Sequence, residues 1–464
     1  MKRKTKIIAT LGPSCDNEKS IEKLISAGVN VFRINLSHIS TEAIEKYIKM
    51  IQKTREKMHK PISIMVDTRG PEVRVCSFLN NKVNLKKGQK FSLVSNDVQG
   101  DNAKVQITQP ICIENAKIGG TILANDGRLK LKIIDKKQNQ LICKVCSSGE
   151  LSNNKSLSFV NQHFDFEYLN ENDKKDLKQA LELGVEYISA SFVNSKKDID
   201  ALKKFVYDYD KNIKIIAKIE SKEGINNLDE IVPNCEGVMV ARGDLGVEAS
   251  FEKLPIYQRK IINATKKYSK ISIVATEMLE SMTTSIRPTR AEISDVSKAV
   301  FDGAGAVMLS GETAVGNNPV LCIKTMAKIL KEAESEFDYY KTFNNMIKNP
   351  KTSNDLIIQS AVNASFFLNV KAIFTYTSKG SNALKFSTKF AKVPIVAIAD
   401  NVKTYNSLAI MCNCIPVLNK KEDDIFNQAT KISLQNKIAQ KGDLIIVTTG
   451  TTDKISNVLK FVKI

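Results

Sequence analysis

Two short stretches hold residues whose types and spacing suit chemistry on an anion. In Lys218-Ile219-Glu220 an ammonium and a carboxylate flank one isoleucine, and alternate residues of a strand share a face, so the two charges project together. Val240-Ala241-Arg242-Gly243-Asp244-Leu245-Gly246 adds a second carboxylate, and its glycines let backbone amides approach an anion closely. Two carboxylates from neighbouring strands, completed by substrate oxygens, would give a hard divalent ion its octahedral shell. Taken singly, Lys218 and Glu220 read as well as a structural ion pair, and Gly243 as a turn. With three histidines (His38, His59, His163) and nine scattered cysteines, metal chemistry has to rest on carboxylates, which suits magnesium or manganese rather than zinc. The one tight cysteine pair, Cys143 and Cys146, lacks a second pair or a nearby histidine, so reduced, buried thiols are expected.

The elements that must position these groups repeat one pattern: an amphipathic helix, a terminating glycine, then a short apolar strand ending in polar residues. Ile21 to Gly28 leads into Val29 to Asn35, Leu177 to Gly184 into Tyr187 to Ser191, and Val300 to Gly305 into Ala306 to Ser310. With Lys6 to Ala9, Ser63 to Asp67, Lys214 to Ile219, Gly237 to Ala241 and Ile273 to Ala275, this predicts the strand count of a (β/α)8 TIM barrel. Asn35, Asp67, Ser191, Glu220, Arg242, Asp244, Thr276 and Ser310 fall at or just past strand ends, the rim on which barrel enzymes build their sites. That convergence favours the metal reading over a lone ion pair.

Between Gly70 and Asn161 the helical period gives way to alternating runs such as Lys90 to Val94, Leu129 to Ile134 and Gln140 to Val145, which predicts an inserted small β-barrel domain. The polar stretch Lys341 to Thr352 reads as a linker, and Ala372 to Tyr376, Ile395 to Ala399 and Leu444 to Val447 as strands of a C-terminal doubly wound α/β domain. The expected division is therefore 1–69 with 162–342 for the barrel, 70–161 for the insert and 350–464 for the last domain. The charge of +19 is spread along the whole chain, with no cluster alternating with aromatics, so no nucleic-acid partner is expected. No run reaches the ~18 to 20 apolar residues of a membrane span, and Met1-Lys2-Arg3-Lys4 leads into a strand, so no membrane partner and a cytoplasmic location are expected.

The blocks named so far, together with Ala275-Thr276-Glu277-Met278-Leu279-Glu280-Ser281-Met282, Arg287-Pro288-Thr289-Arg290-Ala291-Glu292 and Met308-Leu309-Ser310-Gly311-Glu312-Thr313-Ala314, resemble the signatures of pyruvate kinases. Lys6 to Ser14, Arg33 to His38 and Asp67 to Arg74 resemble the same family in the same order. The resemblance implies transfer of the phosphoryl group of phosphoenolpyruvate to ADP, with Mg2+ (or Mn2+ as a substitute) on Glu220 and Asp244 and K+ on Asn35, Ser37, Asp67 and Thr68. It implies that Lys218 and Arg33 face the phosphoryl group, that Gly243, Asp244 and Thr276 hold the substrate carboxylate, and that Pro13, Asn35, His38, Arg74, Asp126 and Lys155 meet the nucleotide. Thr276, Ser310 and Glu312 would organise a proton relay to the enolate through water, since an unperturbed hydroxyl is a poor acid. The potassium-independent members carry Lys where this chain has Glu72, so K+ dependence is implied. Arg69, Glu277 and Gly305 stand where the family usually has Lys, Gln and Asp.

The segment Thr377-Ser378-Lys379-Gly380-Ser381-Asn382 resembles the loop with which many relatives bind a phosphorylated allosteric effector, and reads equally as an ordinary capped turn. The family also implies a homotetramer. Two rival functions remain: a catalytically inactive relative acting as a metabolite sensor, and another phosphoenolpyruvate enzyme on a barrel. Retention of Lys218, Glu220, Asp244, Arg33 and Thr276 argues against the first, and the inserted domain, suited to covering a nucleotide, against the second.

Overall fold

The structure is a computed structural model that describes residues 3–464 other than 126, 163, 347–349, 351, 421, 423 and 450–457, and His38 by its backbone alone. Eight parallel strands close a barrel in chain order: Lys6–Thr10, Val31–Asn35, Ser63–Asp67, Tyr187–Ala190, Lys214–Ile219, Gly237–Ala241, Ile271–Ala275 and Ala306–Leu309. Alternation sorts their side chains. Ile7, Phe32, Ile64, Ile215, Val238, Val274 and Val307 face the surrounding helices, while Ile8, Val31, Met65, Ile216, Met239, Ile273 and Met308 fill the barrel. Being buried on both faces, these strands read as continuous apolar runs.

The helices start earlier than the apolar period alone suggests, because polar caps precede it. Glu18–Ala27 is opened by Asn17, whose side chain accepts from the Ser20 amide, and closed by Gly28 at φ 124°, a conformation that favours glycine. Arg290–Asp302 begins with a capping box in which Thr289 and Glu292 satisfy each other's backbone amides. The family-like block Arg287 to Glu292 is thus in part a helix start.

The insert wraps one apolar core, with Phe91, Leu131 and Cys143 at its centre, in a six-stranded sheet and a two-stranded ribbon. Isolated bridges, Arg74 to Ser156 and Val75 to Ile107 among them, lace its wall together. It sits over the barrel mouth as a lid, and Ser158 donates a hydrogen bond to Glu248 of the barrel. The C-terminal sheet runs in the order Cys414–Leu418, Ile395–Ala399, Val370–Tyr376, Leu444–Thr449, Val458–Lys463, with only the last strand antiparallel.

This C-terminal domain plugs the barrel floor. Ala397, Leu408, Ile410 and Met411 join the side chains inside the barrel in one core, and the Tyr187 hydroxyl donates to Ser407 O at 2.8 Å. The linker reading of Lys341 to Thr352 is corrected in its first half. Tyr339–Met346 is a helix, and its Phe343 is buried in the C-terminal core beside Ile358 and Phe386, so one aromatic anchors an otherwise polar segment. Residues 347–349 and 351 lie outside the described set. All nine cysteines are free, Cys143 buried and Cys146 half-buried. Among the described residues no helix is long and apolar enough to cross a membrane.

Near the floor, Arg55 and Glu186 form a buried pair at 2.9 Å. Arg55 also donates to Ile62 O and Glu186 accepts from the Ile64 amide. Removing one partner strands the other charge, so Arg55→Met should lower stability by about 3–5 kcal/mol. Lys49→Met at the exposed pair with Glu45 should change it by less than about 0.5 kcal/mol; equilibrium denaturation of both variants checks the contrast.

Candidate active site

Strand parity decides which polar residues meet. Thr10, Arg33, Asp67 and Lys218 share the inward face with Ile8, Val31, Met65 and Ile216, and each lies at or near the C-terminal end of its strand. Asp67 Oδ2 receives Arg33 Nη2 at 2.5 Å and Lys218 Nζ at 3.1 Å. Arg33 is steadied from behind by Thr10 Oγ1 at 3.2 Å. Lys218 Nζ also lies 2.9 Å from Glu220 Oε1 and donates to Ser191 Oγ at 2.8 Å. Glu220 Oε2 accepts from the Phe192 amide at 2.6 Å. Two cations and two carboxylates from the second, third and fifth strands thus form one buried chain.

The charges titrate accordingly. Burial alone would raise the Asp67 carboxyl, but Arg33 and then Lys218 outweigh it and hold it at about 2. Burial alone would lower the Lys218 ammonium; Asp67 and then Glu220 outweigh that and keep it above its ordinary range. Glu220 is pushed up by burial, opposed by Lys218 and reinforced by the Asp244 carboxylate. The ammonium is shared with Asp67, so Glu220 is only partly compensated. Its Oε1 is buried against the Lys218 ammonium, and Asp67 Oδ1 is buried without a hydrogen bond, as an oxygen able to meet a cation would be. Among the described residues no group of three or more His, Cys, Asp or Glu could hold a metal, so Glu220 and Asp244 would need substrate oxygens to complete a shell.

Next along the same rim, Asp244 lies in the short helix Arg242–Glu248 that follows the sixth strand, the neighbour of the fifth. The next turn is strained: Thr276 has φ 69° and Glu277 φ 50°, a region that costs a residue with a side chain ~1–3 kcal/mol. Arg242 clamps it, donating from Nε to Ala275 O at 3.2 Å and from Nη2 to Thr276 O at 2.6 Å, while Asp295 holds Nη1 at 2.6 Å. Thr276 Oγ1 accepts from the Gly243 amide at 2.8 Å, so here that amide meets Thr276 itself. Glu312 is buried, and its two oxygens accept from the Leu279 and Ser310 amides. It therefore acts as a tie between two loops, with Ser310 on one of them.

The remaining residues read from the sequence fall in three places. Asn35 accepts from the Ser37 amide at 3.2 Å, and Thr68 Oγ1 accepts from the Ser191 amide at 3.0 Å, both beside Asp67. Pro13 opens a one-turn helix on the same rim; at Gly12 before it a Cβ would lie 2.5 Å from Ala314 O. Arg74 and Lys155 sit on paired lid segments, Arg74 bound to Glu72 Oε2 at 2.9 and 2.6 Å and to Asn154 O at 2.7 Å. Asp126 and the His38 side chain lie outside the described residues. A 510 Å³ cleft between lid and barrel is lined by Glu72, Ser156, Phe192 and Asp244 among others. The loop Thr377 to Asn382 is remote from all of these, in the C-terminal domain. There Gly380, at φ 88°, turns the chain into the helix Ser381–Ser387, and Ser378 O accepts from Asn401 and Thr404. Sequence reasoning gave no role to Ser191, Thr10 or Asp295, and missed that Asp67 anchors both cations; strand parity was the available signal for all but Asp295, which lies on the helix Arg290–Asp302.

Comparison with known proteins settles the family. The model described as "Pyruvate kinase, barrel domain" matches residues 2–323, and "Pyruvate kinase, alpha/beta domain" matches 355–464. A pyruvate kinase of Thermotoga maritima is 36% identical over 467 residues, covering 100% of both chains, and one of Clostridium perfringens is 37% identical over 476 residues, again covering 100% of both. A solved pyruvate kinase from Cryptosporidium parvum superposes with a TM-score of 0.94 at 31% identity, covering 99% of this chain and 96% of that one. The chain belongs to the pyruvate kinases. Its reaction is transfer of the phosphoryl group of phosphoenolpyruvate to ADP, which makes it a phosphotransferase.

Within the pyruvate kinases the three departures have visible surroundings. Arg69 leaves the reacting centre and pairs with Asp176 at 2.5 Å, while its amide and that of Gly70 are held by Asp173, fixing the entry to the lid. Glu277 occupies the strained turn. Gly305 lies at the floor, where a Cβ would be 3.5 Å from Cys412 Cβ. For the clamp, Arg242→Lys keeps the charge but loses the planar fork. It should lower kcat/KM about tenfold to a hundredfold while leaving the thermal midpoint within a few degrees; steady-state kinetics and calorimetry check this.

Proposed function

We propose that Lys218 and Arg33, anchored on Asp67, receive the negative charge of the phosphoryl group in transfer, while Glu220 and Asp244 present their carboxylates to a divalent ion. The observation that carries this reading is the Arg33–Asp67–Lys218–Glu220 chain, in which cations and carboxylates lie within 3.1 Å of one another. The Glu220 carboxylate, buried and only partly compensated by Lys218, supports a divalent ion there, and Asp67 Oδ1, buried without a hydrogen bond, supports potassium between Asn35, Ser37 and Thr68. Magnesium, with manganese as a substitute, would supply charge neutralisation at the substrate oxygens. Potassium would add a further positive charge at the phosphoryl end. Phosphoryl transfer leaves the protein mainly positioning and electrostatic stabilisation to perform, and both cations are already held by Asp67. Thr276, with the Gly243 and Asp244 amides, fixes the substrate carboxylate once the Gly243 to Thr276 bond exchanges. Thr276 and Ser310 then order the water that delivers a proton to the enolate.

ADP is assigned to Pro13, Asn35 and His38 of the barrel and to Arg74, Asp126 and Lys155 of the lid, between which the cleft lies. Residues 1–69 with 162–342, 70–161 and 350–464 act as catalytic barrel, lid and C-terminal unit of a cytoplasmic homotetramer. The loop Thr377, Ser378, Lys379, Ser381 and Asn382 takes a phosphorylated effector, the helix start after Gly380 offering it backbone amides.

A coupled assay of ADP-dependent pyruvate formation, with and without potassium, tests the whole reading, and a folded protein inactive at saturating magnesium refutes it. Lys218→Met should cut kcat on the order of a hundredfold to a thousandfold with the KM for phosphoenolpyruvate largely unchanged, since the lost stabilisation belongs to the transition state. An unchanged kcat removes the assigned role. Glu72 now pairs with Arg74 beside the Asp244 carboxylate, and Glu72→Lys places a fixed cation there. Potassium stimulation should fall in that variant; stimulation of the original size excludes the potassium reading of this position.

A further inference from the structure

An ammonium has three N–H donors and no acceptor, so its direction is set by whatever takes its hydrogens. Lys218 donates to Ser191 Oγ at 2.8 Å and to Asp67 Oδ2 at 3.1 Å. Glu220 Oε1 meets the same ammonium at 2.9 Å. Three oxygens, those of Ser191, Asp67 and Glu220, thus surround the ammonium, and only the one from Ser191 is uncharged.

Ser191 is itself tightly constrained. It is 1% exposed, its amide donates to Thr68 Oγ1 at 3.0 Å, and its hydroxyl donates to Thr68 O at 2.7 Å. Its carbonyl accepts from the Tyr168 hydroxyl at 2.8 Å. A hydroxyl carries one hydrogen and two lone pairs. Since the hydrogen goes to Thr68 O, a lone pair is left for Lys218. The reciprocal Ser191 and Thr68 bonds also join the third strand's end, where Asp67 precedes Thr68, to the fourth strand's end.

We infer that Ser191 is a positioning residue: its oriented hydroxyl, locked by Thr68, holds the Lys218 ammonium in the place from which it meets the substrate phosphoryl group. The inference rests on the proposed role of Lys218. It makes the Thr68 backbone, beside the proposed potassium site, part of the same hydrogen-bond chain as the phosphoryl-facing ammonium.

The test is a double-mutant cycle on the full-length protein with phosphoenolpyruvate, ADP, magnesium and potassium. Loss of one hydrogen bond to a charged group corresponds to about a tenfold to hundredfold change. Ser191→Ala should therefore lower kcat by that factor, with the KM for phosphoenolpyruvate within about twofold. Ser191→Cys keeps the shape with a weaker acceptor and should fall between, and it stands in if the alanine variant does not fold. In a Lys218→Met background Ser191→Ala should cost nothing further, because there is no ammonium left to hold. Wild-type kcat in Ser191→Ala, or an equal loss in both backgrounds, overturns the inference while leaving the role of Lys218 intact. Full turnover in Lys218→Met alone removes that role, and the Ser191 inference with it.

Discussion

The active centre depends on one carboxylate shared by two cations. Asp67 Oδ2 accepts from Arg33 and Lys218, whose strands lie on either side of it around the barrel. Without it, two buried positive groups would face each other across a few ångströms of low dielectric, and one would have to neutralise or withdraw. With it, both stay charged and fixed, so electrostatic stabilisation needs little reorganisation during reaction. The eight-stranded closure is what allows this, because parallel neighbours deliver inward residues to one rim at matching heights.

The second half of the site is held by strain and its restraints. Thr276 and Glu277 occupy backbone conformations that a free chain avoids, and Arg242, Asp295 and the Gly243 amide keep them there. Glu312 ties the neighbouring loops through the Leu279 and Ser310 amides. Much of what makes these segments recognisable as family signatures is scaffolding: the Thr289 and Glu292 capping box starts a helix, and Glu292 also receives the Ser281 amide and hydroxyl.

Strand existence, barrel closure and the rim positions of Asp67, Lys218 and Glu220 were legible because buried parallel strands are apolar runs with polar ends. Pairings were not. Asp67 meets Lys218 across 151 positions of sequence and Arg33 across 34, and a pattern of period two assigns faces without assigning partners. The helix Tyr339–Met346 was hidden because Phe343 is its only buried residue. The antiparallel edge strand Val458–Lys463 was not picked out because lysines break up its apolar residues and none of them is fully buried, Leu459 and Val462 packing only partly against the domain's cores. Ser191 was legible as a rim residue but not as a hydrogen-bond relay, since a hydroxyl's role depends on where its single hydrogen points.

The two ends of the barrel are closed by different means. At the floor, Ile8, Ile216 and Met239 merge with Ala397, Leu408 and Met411 in one dry core, whereas the mouth is covered by a lid that touches the barrel through contacts such as Ser158 to Glu248. Among the described residues, the cleft between lid and barrel is therefore the approach by which solvent reaches the charged cluster. How closely the lid covers that cleft then bears on whether a labile phosphoryl group meets a nucleotide or a water molecule, since excluding water limits wasteful hydrolysis.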